Sequence, residues 1–131
     1  MRNKPCLTLV DAQRMAAACR EAAARHDQDV TIAIVDDGGH LIYLERPDQH
    51  RPNAIEMATL KARSAALRAR PSSTLEARVK EQPGFLMVPN ILAIRGGFPV
   101  IYAGQCVGGI GISGADVNDE TIAEAGTNVL D

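Results

Sequence analysis

Gly108-Gly109-Ile110-Gly111-Ile112-Ser113-Gly114 is the stretch whose reading decides the fold. From Gly109 to Gly114 it matches G-x-G-x-x-G, the fingerprint of dinucleotide-binding loops. That fingerprint works only as a glycine turn after a first strand, with a helix N-terminus aimed at a pyrophosphate. It also needs an acidic residue about twenty positions on, at the end of the next strand, for the ribose. Only one helical pattern lies between Gly114 and Asp131, and no further strand follows it. The stretch therefore reads as a strand, Cys106 to Ser113. With a two-residue period, Val107, Gly109, Gly111 and Ser113 point one way, and Gly108, Ile110 and Ile112 the other. One face is stripped of bulk, so a helix, a neighbouring subunit or a ligand can come close to it.

Working outward, Ile91 to Arg95 and Pro99 to Tyr102 read as two further strands, separated by Gly96-Gly97 and Ala103-Gly104. After the glycines, Asp116 or Asn118 caps a last helix carrying Ile122, Ala125 and Val129 at helical spacing. In the first half, Val30–Val35 and Leu41–Leu44 flank Asp36-Asp37-Gly38-Gly39-His40, a hairpin in which glycine supplies positive φ. Ahead of it, Leu9, Ala12, Ala16, Cys19 and Ala23 mark one apolar face of an alanine-rich helix. Thr8 is its cap, and Asp11 suits its positive end. Pro52-Asn53-Ala54-Ile55-Glu56 predicts a second long helix, with Asn53 as cap and Glu56 reaching back to it, running to about Arg68. Ser73 and Glu76 start a third by the same device, ending before Pro83-Gly84. The order α–β–β–α–α–β–β–β–α predicts an α+β domain over residues 1–131, with a five-stranded antiparallel sheet flanked by helices.

Composition narrows the function. The chain has 131 residues, enough for one core, with 46% hydrophobic and 23% charged residues. A net charge of −2, two Phe, two Tyr and no Trp argue against nucleic acid, which wants a basic field and stacking platforms. No stretch is long enough to span a membrane, and Leu7 to Val10 is too polar for a signal-peptide core. The three cysteines, Cys6, Cys19 and Cys106, form neither a disulfide framework nor a metal spacing, as expected of reduced thiols in a cytoplasmic protein. No metal site is expected.

Several motifs occur together in order. They are Leu7-Thr8 with Asp11-Ala12, Val35-Asp36-Asp37-Gly38-Gly39-His40-Leu41, and Lys61-Ala62-Arg63-Ser64-Ala65-Ala66 ahead of Pro71-Ser72. Gly96-Gly97-Phe98-Pro99-Val100, Gly108 to Gly114, and Ala123-Glu124-Ala125-Gly126 complete the set. Together they resemble the GlcG/HbpS family, which includes the C-terminal domain of PduO-type proteins. The resemblance implies a profilin-like fold, a homo-oligomer, and a small-molecule ligand with a carboxylate or a planar ring. Some members look like haem-binding or haem-degrading proteins. Another branch resembles 4-hydroxylaminobenzoate lyase, which releases ammonia. The reading is therefore a binder of haem or a related tetrapyrrole, with a cofactor-independent lyase of an aromatic acid as the alternative.

The candidate site residues follow from those two chemistries. Lys61, Arg63 and Arg95 offer cations for a carboxylate. Gly96 and Gly97 offer bare backbone, and Gly109 and Gly111 the stripped face. Phe85, Leu86, Met87 and Phe98 offer apolar or stacking walls for an aromatic ring. Haem iron takes an imidazole, thiolate or thioether, which brings in His40 and His50, with His50 preferred for its place in a loop, and then Met57 and Cys106. For a lyase, His50 or Glu56 would move protons while Lys61 anchors the carboxylate.

Overall fold

The computed structural model describes residues 1–130. Its helices are α1 (Leu9–Arg25), α2 (Asn53–Arg68), α3 (Ser72–Glu81) and α4 (Asp119–Thr127). Its strands are β1 (Thr31–Asp36), β2 (Leu41–Glu45), β3 (Gly97–Tyr102) and β4 (Gln105–Ser113). They form one antiparallel sheet in the order β2-β1-β4-β3. Helices cover both faces, so β1 is buried along nearly its whole length instead of alternating. On one face Ile32, Ile34, Ile110 and Ile112 meet Met15 and Cys19 of α1 and Ile122 of α4. On the other, Ala33 and Val35 meet Ala58, Ala62 and Ala66 of α2. Among the described residues no helix is long and apolar enough to cross a membrane.

The α+β class and the antiparallel sheet hold, but the sheet has four strands, not five. Ile91–Arg95 is the segment misread. Its amides are taken by side chains: Leu92 N–H donates to Ser64 Oγ at 2.7 Å and Arg95 N–H to Glu76 Oε2 at 3.0 Å. In return the Ile94 carbonyl accepts from Ser72 Oγ at 2.7 Å. A backbone satisfied by α2 and α3 has nothing left to offer β3. From Pro83 to Arg95 the chain is thus a strap across the helices, opened by a single 3₁₀ turn, Pro83–Met87.

A second correction concerns side-chain direction on β4. Val100 pairs with Gly108 and Ile101 with Cys106, so Val107 is the extra residue of a β-bulge. The bulge turns Val107 to the α1 side, with Leu7, while Cys106 Sγ faces the Ala66 carbonyl of α2 at 3.4 Å.

The expected caps are realised unevenly. At α1 the box is complete: Thr8 Oγ1 accepts from Asp11 N–H at 3.1 Å, and Asp11 Oδ2 accepts from Thr8 N–H at 2.9 Å. At α2 it is absent. Pro52 already has helical angles (φ −56°, ψ −31°), so the helix begins at Asn53 and neither Asn53 nor Glu56 caps it. Ser73 does not cap α3 either, which starts at Ser72, and α4 has no side-chain cap from Asp116 or Asn118.

Two hydrogen bonds from Thr8, the backbone one first, hold the Asp11 carboxyl below the usual carboxylate range. A depressed folded pKa means stability present above the unfolded value and lost as pH falls through the folded one. Asp11→Asn should cost about 0.5 kcal/mol at neutral pH, a modest figure because solvent screens the pair. In urea melts the gap to the parent should narrow as pH falls through the depressed folded value of Asp11. An unchanged gap at low pH would contradict this assignment.

Candidate functional site

Where β4 ends, Ser113 and Gly114 form a wall shared by two clefts. The larger, about 540 Å³, lies among α2, the end of the strap and the loop into α4, lined by Met57, Lys61, Ile94, Arg95 and Val117. The smaller, about 280 Å³, lies beside the loop before α2 and is lined by His50, Arg51 and Asn53. Volumes of this order suit a drug-sized organic guest. A further cleft of about 520 Å³ sits at the C-terminal end of α1, around the Arg20–Glu45 ion pair. It contains none of the residues nominated from sequence.

Lys61 reaches the site because α2 lies flat on the glycines of β4. A side chain on Gly109 or Gly111 would overlap the carbonyl oxygens of Ala62 and Ala58. Gly97 would likewise overlap the Lys61 carbonyl. The space over these three glycines is therefore occupied by α2 itself. The lysine side chain runs beneath Gly96 (φ +121°) and is only 2% exposed. Its Nζ donates to the Ile112 carbonyl at 2.9 Å and to Asp119 Oδ2 at 3.2 Å.

Asp119 Oδ1 in turn accepts from Ala115 N–H at 2.8 Å. Burial pushes the Asp119 carboxyl above its usual range, against the pull of Lys61 and Ala115. The pair is dry and mutually satisfied, so it shapes the floor of the cleft more than it offers a free ammonium. Across the opening, Arg95 Nε donates to Glu76 Oε2 at 3.3 Å, with the arginine exposed and the glutamate half-buried.

His50 sits on the other side of Ser113–Gly114. Its Nδ1 lies 2.9 Å from Thr31 Oγ1 on β1. Met57, Lys61, Arg95 and His50 thus converge around one wall, with Gly96 over the Lys61 side chain. The other nominated residues lie elsewhere. Arg63 Nε donates to the Gly39 carbonyl at the hairpin. Phe85 is on the strap, with the Arg78 guanidinium 4.5 Å over its ring. Glu56 is exposed on α2 and lines neither cleft. His50, Glu56 and Lys61 therefore form no proton-moving trio, and the aromatic-acid lyase reading finds no support. Among the described residues no three His, Cys, Asp or Glu side chains are grouped to hold a metal ion.

Sequence reasoning missed Asp119, Thr31 and Glu76. Asp119 had one available signal: an acid at an inward position of the last helix, in a chain whose second helix buries a lysine. Nothing local pairs Thr31 with His50, nineteen residues apart.

Comparison with known proteins gives the family. Residues 7–128 match the family described as "Haem degrading protein HbpS-like". Protein GlcG of Escherichia coli (strain K12) is 37% identical over 114 residues, covering 86% of this chain and 85% of GlcG. The crystal structure of a double mutant of Streptomyces reticuli HbpS superposes with a TM-score of 0.92 at 34% identity, covering 100% of this chain and 91% of that one. A PduOC:heme complex superposes with a TM-score of 0.86 over 97% of this chain and 96% of that one; at 23% identity the likeness speaks to fold alone. The chain belongs to the HbpS-like family, to which its similarity to GlcG and HbpS also points.

Proposed function

We propose that the chain binds haem or a related tetrapyrrole at the clefts that meet at Ser113–Gly114. The carrying observation is the convergence there of Met57, Lys61, Arg95 and His50. The donor set fits the guest. Met57 offers a thioether, which haem iron accepts, and His50 an imidazole that can hydrogen-bond a propionate. Arg95 and Arg51, one in each lining, are cations for two propionates. Ile94 and Val117, 38% and 73% exposed, provide apolar surface for a macrocycle edge. The family description, with its reference to haem degradation, supports the same reading.

Titration with haemin, followed by visible absorption, tests it. A saturable Soret shift is expected, and Arg95→Glu should weaken binding about tenfold by replacing an attraction with a repulsion. Lys4→Glu, beside Asp37 at the opposite end of β1 from Thr31, should leave the titration unchanged. Absence of any saturable shift at about 100 µM protein, far above a micromolar Kd, would sink the proposal.

A further inference from the structure

His50 is held from two directions. Thr31 Oγ1 is 2.9 Å from its Nδ1. On the other side its Cε1 rests over Gly114, where an added Cβ would come within 2.6 Å. Gly114 has φ +123°, so the backbone beneath the ring is one that glycine alone adopts without strain. The imidazole is pinned between a strand and a glycine turn. Its Nε2 is the ring nitrogen left without a hydrogen-bond partner among the described residues.

The Thr31 hydroxyl decides what Nε2 can do. Thr31 is fully buried, at 0% exposure. Among the described residues Nδ1 is the single hydrogen-bond partner of its oxygen. A hydroxyl has one proton to place, and a buried donor without an acceptor is costly. Were Nδ1 to carry the ring proton, it would donate to Oγ1 and leave the hydroxyl proton with nowhere to go. With the hydroxyl donating to Nδ1, every buried polar atom is satisfied. The neutral ring then carries its proton on Nε2.

We infer that Thr31 locks His50 as an Nε2–H donor, so that His50 recognises a carboxylate oxygen of the guest and does not ligate iron. The inference rests on the proposed cleft as the binding site. A ring held in this tautomer offers a metal no lone pair at Nε2. Arg51, in the same lining, supplies the positive charge that a carboxylate wants beside such a donor. Thr31 is the positioning residue, and His50 is the group that touches the guest.

Two measurements test this, one of them independent of haem. Nitrogen-15 NMR of the neutral imidazole in the unliganded protein should show a single tautomer, protonated at Nε2, and Thr31→Val should let both tautomers populate. A wild-type ring protonated mainly at Nδ1, or an even mixture, overturns the inference, and this arm stands even if Thr31→Val does not fold. In the haemin titration, His50→Ala should weaken binding about tenfold with unchanged absorption maxima, and His50→Gln, which keeps an N–H donor, should recover most of the loss. Maxima that move in His50→Ala would mean a lost iron ligand and overturn the inference. If the wild type binds no haemin, the functional proposal fails and the tautomer alone decides the role of Thr31.

Discussion

Gly111→Ala is expected to cost at least about 3 kcal/mol, more than most small-to-large core substitutions. The usual cost of an added methyl is limited because neighbouring side chains change rotamer. Here the neighbour is the backbone of α2: the new carbon would overlap the Ala58 carbonyl oxygen and crowd the Ala62 amide. A helix cannot yield at one carbonyl. It must lift from the sheet, and lifting opens the contacts of Ala58, Ala62 and Ala66 with Ala33 and Val35 together. Gly84→Ala is the matched control, since a Cβ there meets nothing within 4 Å. Urea denaturation of the two variants separates the cases. A change below about 0.5 kcal/mol in Gly111→Ala, the size of an ordinary surface substitution, would refute the close approach of α2 to β4.

Lys61→Met is expected to destabilise by about 3–5 kcal/mol at neutral pH, because it leaves the Asp119 carboxylate buried with only the Ala115 amide for company. Combining it with Asp119→Leu should recover much of the loss, since an apolar pair needs no desolvation, although Ala115 N–H then loses its acceptor. The pH dependence distinguishes this from a packing defect. Burial already raises the Asp119 carboxyl in the parent, and removing the lysine raises it further. For an acid with a raised folded pKa, the folded state binds the proton more tightly. Stability is then lost as pH rises from the unfolded value through the folded one. Lys61→Met should therefore regain stability on acidification from pH 7.5 to about 5, narrowing its gap to the parent. A gap that does not change with pH would mean that lost packing, not the stranded charge, is responsible.

Much of the fold was legible because its signals are local. The Asp36–His40 turn is written in two glycines and an aspartate whose Oδ1 accepts the Gly38 and His40 amides, both at 2.9 Å. The helices are written in alanine spacing. Ile91–Arg95 was not legible, because its apolar run is that of a strand and only the distant Ser64 and Glu76 claim its amides. The site was half legible for the same reason. Met57, Lys61, Arg95 and His50 carry chemistry suited to the proposed guest, which sequence displays. That Lys61 is committed to Asp119, and that Gly109 and Gly111 are covered by α2, depends on how two distant segments stack.

The contact of α2 with the glycines of β4 carries a lesson for anyone who wishes to retarget this protein. A seam with no slack is a poor place to edit, and it takes no part in contacting a guest. The wall at Ser113–Gly114 is built instead from chain ends and connections, where residues can be exchanged while the layers stay bolted together. The scaffold behaves as a chassis with interchangeable fittings at one end, so a library confined to residues 49, 51, 94–95 and 117, which spares His50 and its bond to Thr31, should alter what the proposed site holds and leave the melting point near where it began.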